Sequence, residues 1–92
     1  MPVVVKSVET TGDTIMVELA DGRSVSAPLA WYPRLFHATA QERAHFRFIA
    51  GGEGIHWPDL DEDLSVEGIL AGMASGESQR SLQRWLETRS LE

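Results

Sequence analysis

Ninety-two residues, 42% of them hydrophobic and 24% charged, make one small globular domain, because two independent cores need a longer chain and disordered or fibrous chains have other compositions. Fourteen acidic against eight basic side chains leave a net charge of −6, the wrong sign for a free-standing nucleic-acid binder whose affinity rests on phosphate neutralisation. With no cysteine, disulfides, thiolate nucleophiles and thiolate metal sites are excluded.

The chain opens Met1-Pro2-Val3-Val4-Val5-Lys6, without the basic region, apolar run and small-residue cleavage site of a secretory signal. Nowhere does it approach the roughly 20 apolar residues of a membrane span, so a cytoplasmic protein is expected. Residues 2–28 read as a three-stranded antiparallel meander. Val3, Val5 and Ser7 alternate with Val4, Lys6 and Val8, and Thr11-Gly12-Asp13 marks a turn. Ile15, Val17 and Leu19 then fall on one face, with Thr14, Met16 and Glu18 on the other. Asp21-Gly22 predicts a type I′ hairpin turn, which needs positive φ at both central residues. Arg23 to Ala27 is the return strand, with Val25 and Ala27 inward, and Pro28 ends the ladder because it has no N–H to donate.

The middle turns helical. Trp31-Tyr32-Pro33-Arg34-Leu35 reads as an irregular or single-turn segment, and Thr39-Ala40-Gln41-Glu42 has the capping-box form, predicting a helix from about Ala40 to His45. The alternation of Phe46, Phe48 and Ala50 with Arg47 and Ile49 fits a fourth strand or a helix end running into one. Gly51-Gly52-Glu53-Gly54 breaks it, and Ile55-His56-Trp57-Pro58 is a short extended piece. Asp59-Leu60-Asp61-Glu62-Asp63 reads as an acidic loop.

Ser65 caps the next helix, Glu67 suits its first turn, and Val66, Ile69, Leu70 and Met73 form its apolar stripe until Gly72 or Gly76 ends it. Ser75-Gly76-Glu77-Ser78 reads as a hinge. A last helix from about Gln79 to Thr88 carries Leu82, Trp85 and Leu86 as its apolar seam, with Glu87 placed to pair with Arg84. The expected class is therefore α+β: a small antiparallel sheet made of the meander plus one or two further short strands, with two to three short helices. Residues 1–74 form the domain, and residues 75–90 a helical extension that packs on it or on a second subunit. Leu91-Glu92 match the short scar that precedes a purification tag.

The acidic loop invites a metal test. Asp59, Asp61 and Asp63 stand at positions one, three and five of a calcium loop, but Leu64 and Leu70 occupy the positions that need Gly and a bidentate Glu, so an EF-hand is rejected. A looser metal or small-ligand module around His56, Asp59 and Asp61 is the alternative to acids that are solvated and favour the following helix N-terminus. His37, His45 and His56 match no helix-borne metal pair, and a structural role suits them. The glycines at 51–54 open neither a phosphate loop nor a dinucleotide fold, and no nucleophile elbow is present. No catalytic residue, metal or cofactor is assigned, and no enzyme is expected.

Aromatic and arginine side chains mark interfaces. Trp31, Tyr32, Arg34, His56, Trp57, Asp59, Asp61 and Asp63 make up the candidate binding face, and Arg80, Arg84 and Trp85 a candidate interface helix. Core packing is the competing reading for Trp57 above all. Residues 79–92 carry +1 while residues 1–78 carry −7, thin support for DNA contact through Arg80, Arg84 and Arg89. Packing of that helix against an acidic face such as Asp59–Asp63 explains it as well.

The runs Asp21-Gly22-Arg23, Pro28, Trp31-Tyr32-Pro33-Arg34-Leu35 and Gly54-Ile55-His56-Trp57-Pro58-Asp59-Leu60-Asp61-Glu62-Asp63 resemble the bacterial domain of unknown function family 2442, over about residues 3 to 73. The Gly-Glu-Ser-Gln-Arg-Ser tail into an Arg-Trp helix is similar to an extension common in that family. The resemblance implies a small α+β domain with an antiparallel sheet and no established function. Relatives joined to a C-terminal helix-turn-helix imply regulation, but the tail after Met73 is too short for one. Others look like halves of two-gene cassettes similar to toxin–antitoxin pairs, which implies a protein partner. The leading expectation is thus a non-enzymatic interaction domain, antitoxin-like or regulatory. A second copy is the other expected partner, since so small a core gains from further burial; a nucleic acid or a membrane is not expected.

Overall fold

The computed structural model describes residues 3–90, so Leu91 and Glu92 lie outside the described residues. Strands β1 (Val5–Thr10), β2 (Thr14–Leu19) and β3 (Ser24–Pro28) form an antiparallel sheet in the order β1-β2-β3. Along β2 the side chains alternate as the sequence predicts: Ile15, Val17 and Leu19 are fully buried while Met16 is exposed. Ile15 pairs with Ala27 and Val17 with Val25, which turns both β3 residues to the core face, and Pro28 is the last residue of its ladder.

Two details depart from the simple pattern. A bulge between Val5 and Ser7 shifts the β1 register, so that Val8, not Ser7, stands opposite Val17 and packs against the core. The β2–β3 turn is not type I′: Gly22 has φ +95° but Asp21 is not in the left-handed region. The Gly22 N–H donates to the Leu19 carbonyl at 3.0 Å and the Leu19 N–H to the Arg23 carbonyl at 2.8 Å, a three-residue loop with glycine in its left-handed position. Asp21 instead accepts from the backbone and guanidinium of Arg23 at 3.0 and 2.8 Å.

A 3₁₀ turn over Leu29–Trp31 leads into α1 (Pro33–Phe36), whose proline sits at the first helical position, where a missing N–H costs nothing. In α2 (Ala40–Ala44) the capping box forms as predicted: Thr39 Oγ1 accepts from the Glu42 N–H at 3.1 Å, and Glu42 Oε1 from the Thr39 N–H at 2.8 Å. Strands β4 (Arg47–Ile49), β5 (Gly54–Trp57) and β6 (Glu62–Ser65) make a second antiparallel sheet in that order. Gly54 lies so close to Ile49 that a Cβ there would stand 2.9 Å from Ile49 Cγ1.

The acidic stretch is thus a turn and a strand rather than a loop. The chain reverses at Asp61 (φ +49°), and Trp57 pairs with Glu62, His56 with Asp63 and Ile55 with Leu64. Burial of Leu60 and Leu64 draws the segment in while Asp59, Asp61 and Asp63 stay exposed.

Helix α3 (Val66–Leu70) is capped by Ser65, whose Oγ accepts from the Gly68 N–H at 2.9 Å. Only half of its predicted stripe is core. Val66 and Ile69 are buried, whereas the helix ends at Leu70, Gly72 turns the chain with φ +73°, and Leu70 and Met73 are left exposed. Buried residues of both sheets, α3, Tyr32 and Leu35 form one continuous core, with Trp57 the largest member and its indole N–H donating to the Arg43 carbonyl at 3.0 Å. Helix α4 (Gln79–Ser90) follows residues 71–78. Among the described residues no helix is long and apolar enough to cross a membrane.

Candidate functional site

Helix α4 is held to the domain by a polar clasp. Arg34, on α1, grips Glu77: its Nε lies 2.9 and 3.0 Å from the two carboxylate oxygens and its Nη2 2.8 Å from Oε2, while Nη1 donates to the Leu60 carbonyl at 2.9 Å. Ser81, on the first turn of α4, donates to the same carboxylate at 2.7 Å. The Ser75 N–H donates to the Trp31 carbonyl at 2.9 Å, which ties down the connecting segment. At the far end Arg89 makes a forked pair with Glu42, at 2.9 and 2.8 Å. Trp85 packs half-buried against the core between the two arginines, with Arg34 5.3 Å and Arg89 4.5 Å from its ring centre.

The electrostatics follow. The Arg89 guanidinium holds the Glu42 carboxyl down at about 2, and Arg34 holds Glu77 below the usual carboxylate range while its own pKa is raised in return. In this structure Trp85 packs against the core of its own chain. The acid that meets Arg89 is Glu42, which the capping box also holds, rather than one of the Asp59–Asp63 stretch.

The opposite face of α4 is open. Arg80 and Arg84 are exposed and make no ion pair among the described residues; Glu87 accepts from Gln83 at 3.5 Å instead of pairing with Arg84. A groove of about 380 Å³ runs beside them, lined also by Arg34, Ser81, Trp85 and Thr88.

The remaining candidates are not assembled into one face. Trp31 is exposed (39%), but Tyr32 and Trp57, at 1% and 0%, belong to the core. His56 points to Asp63, its partner across the β5–β6 ladder, and His45 to Asp59 at 2.7 Å. Asp61, on the turn, lies on the side of Arg34 and Glu77, so His56, Asp59 and Asp61 are not brought together, and no group of three or more His, Asp and Glu side chains able to hold a metal ion exists among the described residues.

One polar spot was not foreseen from the sequence. The Tyr32 hydroxyl is buried without a hydrogen-bond partner. Beside it Glu62 is half-buried, and burial pushes its carboxyl up as well as raising the Tyr32 phenol. Both border a recess of about 260 Å³, with Ser65, Ile69, Met73 and Ser75 also in its wall. The signal was in the spacing: once 62–65 is a strand, Glu62 shares the face of Leu64.

The chain belongs to the DUF2442 family, described as protein of unknown function, which it matches over residues 5–75; α4 follows the matched span. A protein of unknown function from Rhodospirillum rubrum, known from its crystal structure, is similar at 23% identity with a TM-score of 0.70 over 84% of this chain and 95% of its own. The solution structure of uncharacterised protein CV0863 from Chromobacterium violaceum is similar at 22% identity with a TM-score of 0.67, over 88% of this chain and 74% of its own. These likenesses bear on the fold. The comparison with curated proteins finds no match.

Proposed function

We propose that this chain is a non-enzymatic interaction module that presents α4 to an acidic surface of a partner protein, in a regulatory or antitoxin-like role. The observation that carries the reading is the division of labour among the arginines of α4. Arg89, with Arg34, fastens the helix to the domain, whereas Arg80 and Arg84 stand one turn apart on its outer side with no acid paired to them among the described residues. In a chain of net charge −6, unpaired cations fixed on a clasped helix suit an acidic partner better than they suit nucleic acid, which the rest of the surface repels.

Tagged protein at native expression level in its host tests the proposal. The expected result is a stoichiometric partner that the wild type retains and the double variant Arg80→Glu, Arg84→Glu releases, with the melting temperature of the variant unchanged. Retention of nothing by the wild type, or equal retention by the variant, overturns the reading.

A further inference from the structure

The recess beside Tyr32 and Glu62 has an uneven hydrogen-bonding inventory. Ser65 Oγ already accepts from the Gly68 N–H and Ser75 Oγ from the Glu77 N–H. Asp63 is turned to His56. Glu62 Oε1 accepts from the Asp63 N–H at 3.1 Å. What is left among the described residues is Glu62 Oε2, with no donor, and the Tyr32 hydroxyl, buried in a residue only 1% exposed and equally without a partner. The wall contains no basic side chain. Among the described residues Arg34 is the cation whose charge reaches Glu62, against the like charges of Glu77 and Asp63, and each of its three nitrogens already donates to Glu77 or to the Leu60 carbonyl rather than to Glu62. Glu62 is only half-buried, but the Tyr32 hydroxyl is a buried orphan, and such groups are rare and costly in folded proteins, which calls for an occupant of the recess.

We infer that this recess is a binding site for a small cationic N–H donor, an ammonium or guanidinium group, which takes Glu62 Oε2 as its acceptor and the Tyr32 hydroxyl as its second contact. A recess of about 260 Å³ admits such a head group with part of an alkyl stem, and Ile69 and Met73 offer the stem an apolar side. Residues 73–76 form part of its wall, and the Ser75 N–H donates to the Trp31 carbonyl at 2.9 Å. The cation arrives either as a free small molecule or as a side chain of a bound protein.

Titration of the ¹⁵N-labelled full chain with methylguanidinium at constant ionic strength, followed at the Asp63, Ser75 and Gly76 amides, tests the site. Saturable shifts are expected, with tetramethylammonium, which has the charge but no N–H, giving none. Glu62→Gln, checked for a native spectrum, is expected to weaken binding about tenfold or more, and Tyr32→Phe by less. A short peptide bearing one arginine separates the sources: tighter saturation than methylguanidinium marks a partner's side chain, equal or weaker saturation a free cation, and either result supports the site. Absence of saturation with both probes, or a Glu62→Gln variant that titrates like the wild type, overturns it. The double variant Arg80→Glu, Arg84→Glu is expected to titrate like the wild type, so failure of the α4 reading and failure of this one are told apart.

Discussion

Arg34 and Glu77, 43 residues apart in the chain, meet in a forked pair in which two guanidinium nitrogens engage one carboxylate at 2.8–3.0 Å. Both side chains are largely covered, at 17% and 10% exposure, which lifts the pair above an ordinary surface salt bridge. Among the described residues α4 adds only Trp85 to the apolar core, so this pair and Arg89–Glu42 carry much of its docking. Glu77→Ala should therefore open α4 locally without unfolding the sheets. Loss of a charged hydrogen-bond pair costs roughly 1.5–3 kcal/mol, or about ten- to a hundredfold faster amide exchange along α4. Amides of β2 should exchange as before. Arg34→Lys, which keeps the charge and loses the fork, should fall between.

The clasp also fixes a pH dependence. Glu42 titrates at about 2 in the folded chain against 4.5 ordinarily, and Glu77 is shifted in the same direction. Carboxyls whose pKa falls on folding contribute stability that is fully present above the unfolded value and disappears as pH drops through the folded one. Docking of α4 should thus be insensitive to pH at neutrality and weaken from about pH 4.5 towards pH 2. The Trp85 indole N–H signal, followed by NMR down this range, checks it. Arg89→Ala should remove the Glu42 part of the transition and cost on the order of 1 kcal/mol of docking free energy.

Where one local rule decides a structure, the sequence was readable. The capping box at Thr39 and Glu42 and the period of two along Ile15, Val17 and Leu19 follow from spacing within a few residues, whereas of the seam expected on α4 only Trp85, not Leu82 or Leu86, packs on the core. Where two local signals competed, it was not. Five residues with four acids look like a loop, yet the leucines at 60 and 64 outweigh them and convert the stretch into a hairpin. That conversion moved Glu62 to the inner face and sent His56 to Asp63 instead of Asp59 or Asp61. The clasp was illegible for another reason: Arg34–Glu77 and Arg89–Glu42 join residues 43 and 47 apart, and no local pattern encodes which acid an arginine will reach.

The tryptophans should separate sharply. Trp57 is fully buried and holds the Arg43 carbonyl, so Trp57→Ala opens a large cavity and orphans an acceptor. A cost of about 3–5 kcal/mol is expected, a large part of the total of roughly 5–15 kcal/mol of a domain this size. Trp31, at 39% exposure, should lose less than about 1 kcal/mol on replacement by Ala, because its backbone carbonyl still accepts from Ser75. Urea denaturation of the two variants makes the comparison.

Gly54 answers to sterics rather than to a turn. An added Cβ would stand 2.9 Å from Ile49 Cγ1 and 3.5 Å from the Leu64 carbonyl oxygen, so Gly54→Ala must push β4 outward. Overpacking of this kind costs about 1–3 kcal/mol. Because the clash is with a side chain, the same change in an Ile49→Ala background should cost distinctly less. A double-mutant cycle by thermal denaturation measures that coupling, and additivity would place the constraint in the backbone instead.

Glu62 should reveal itself through a gain. Its carboxyl is raised by burial, so its ionised form is disfavoured in the folded chain relative to the unfolded one. The sign is opposite to that of the clasp: the favourable contribution is present below the unfolded pKa and is lost as pH rises through the folded value. Glu62→Gln should accordingly raise the melting temperature at pH 7, and the advantage should vanish as the wild-type carboxyl becomes protonated in acid. Tyr32→Phe should be neutral or mildly stabilising by about 1 kcal/mol, since it removes a hydroxyl that is buried without a partner. A pair of side chains that each lower the stability of the empty fold is what a binding site looks like before its ligand arrives. Loss of the Glu62→Gln advantage when saturating methylguanidinium is added at pH 7 would tie the two effects to the same carboxylate.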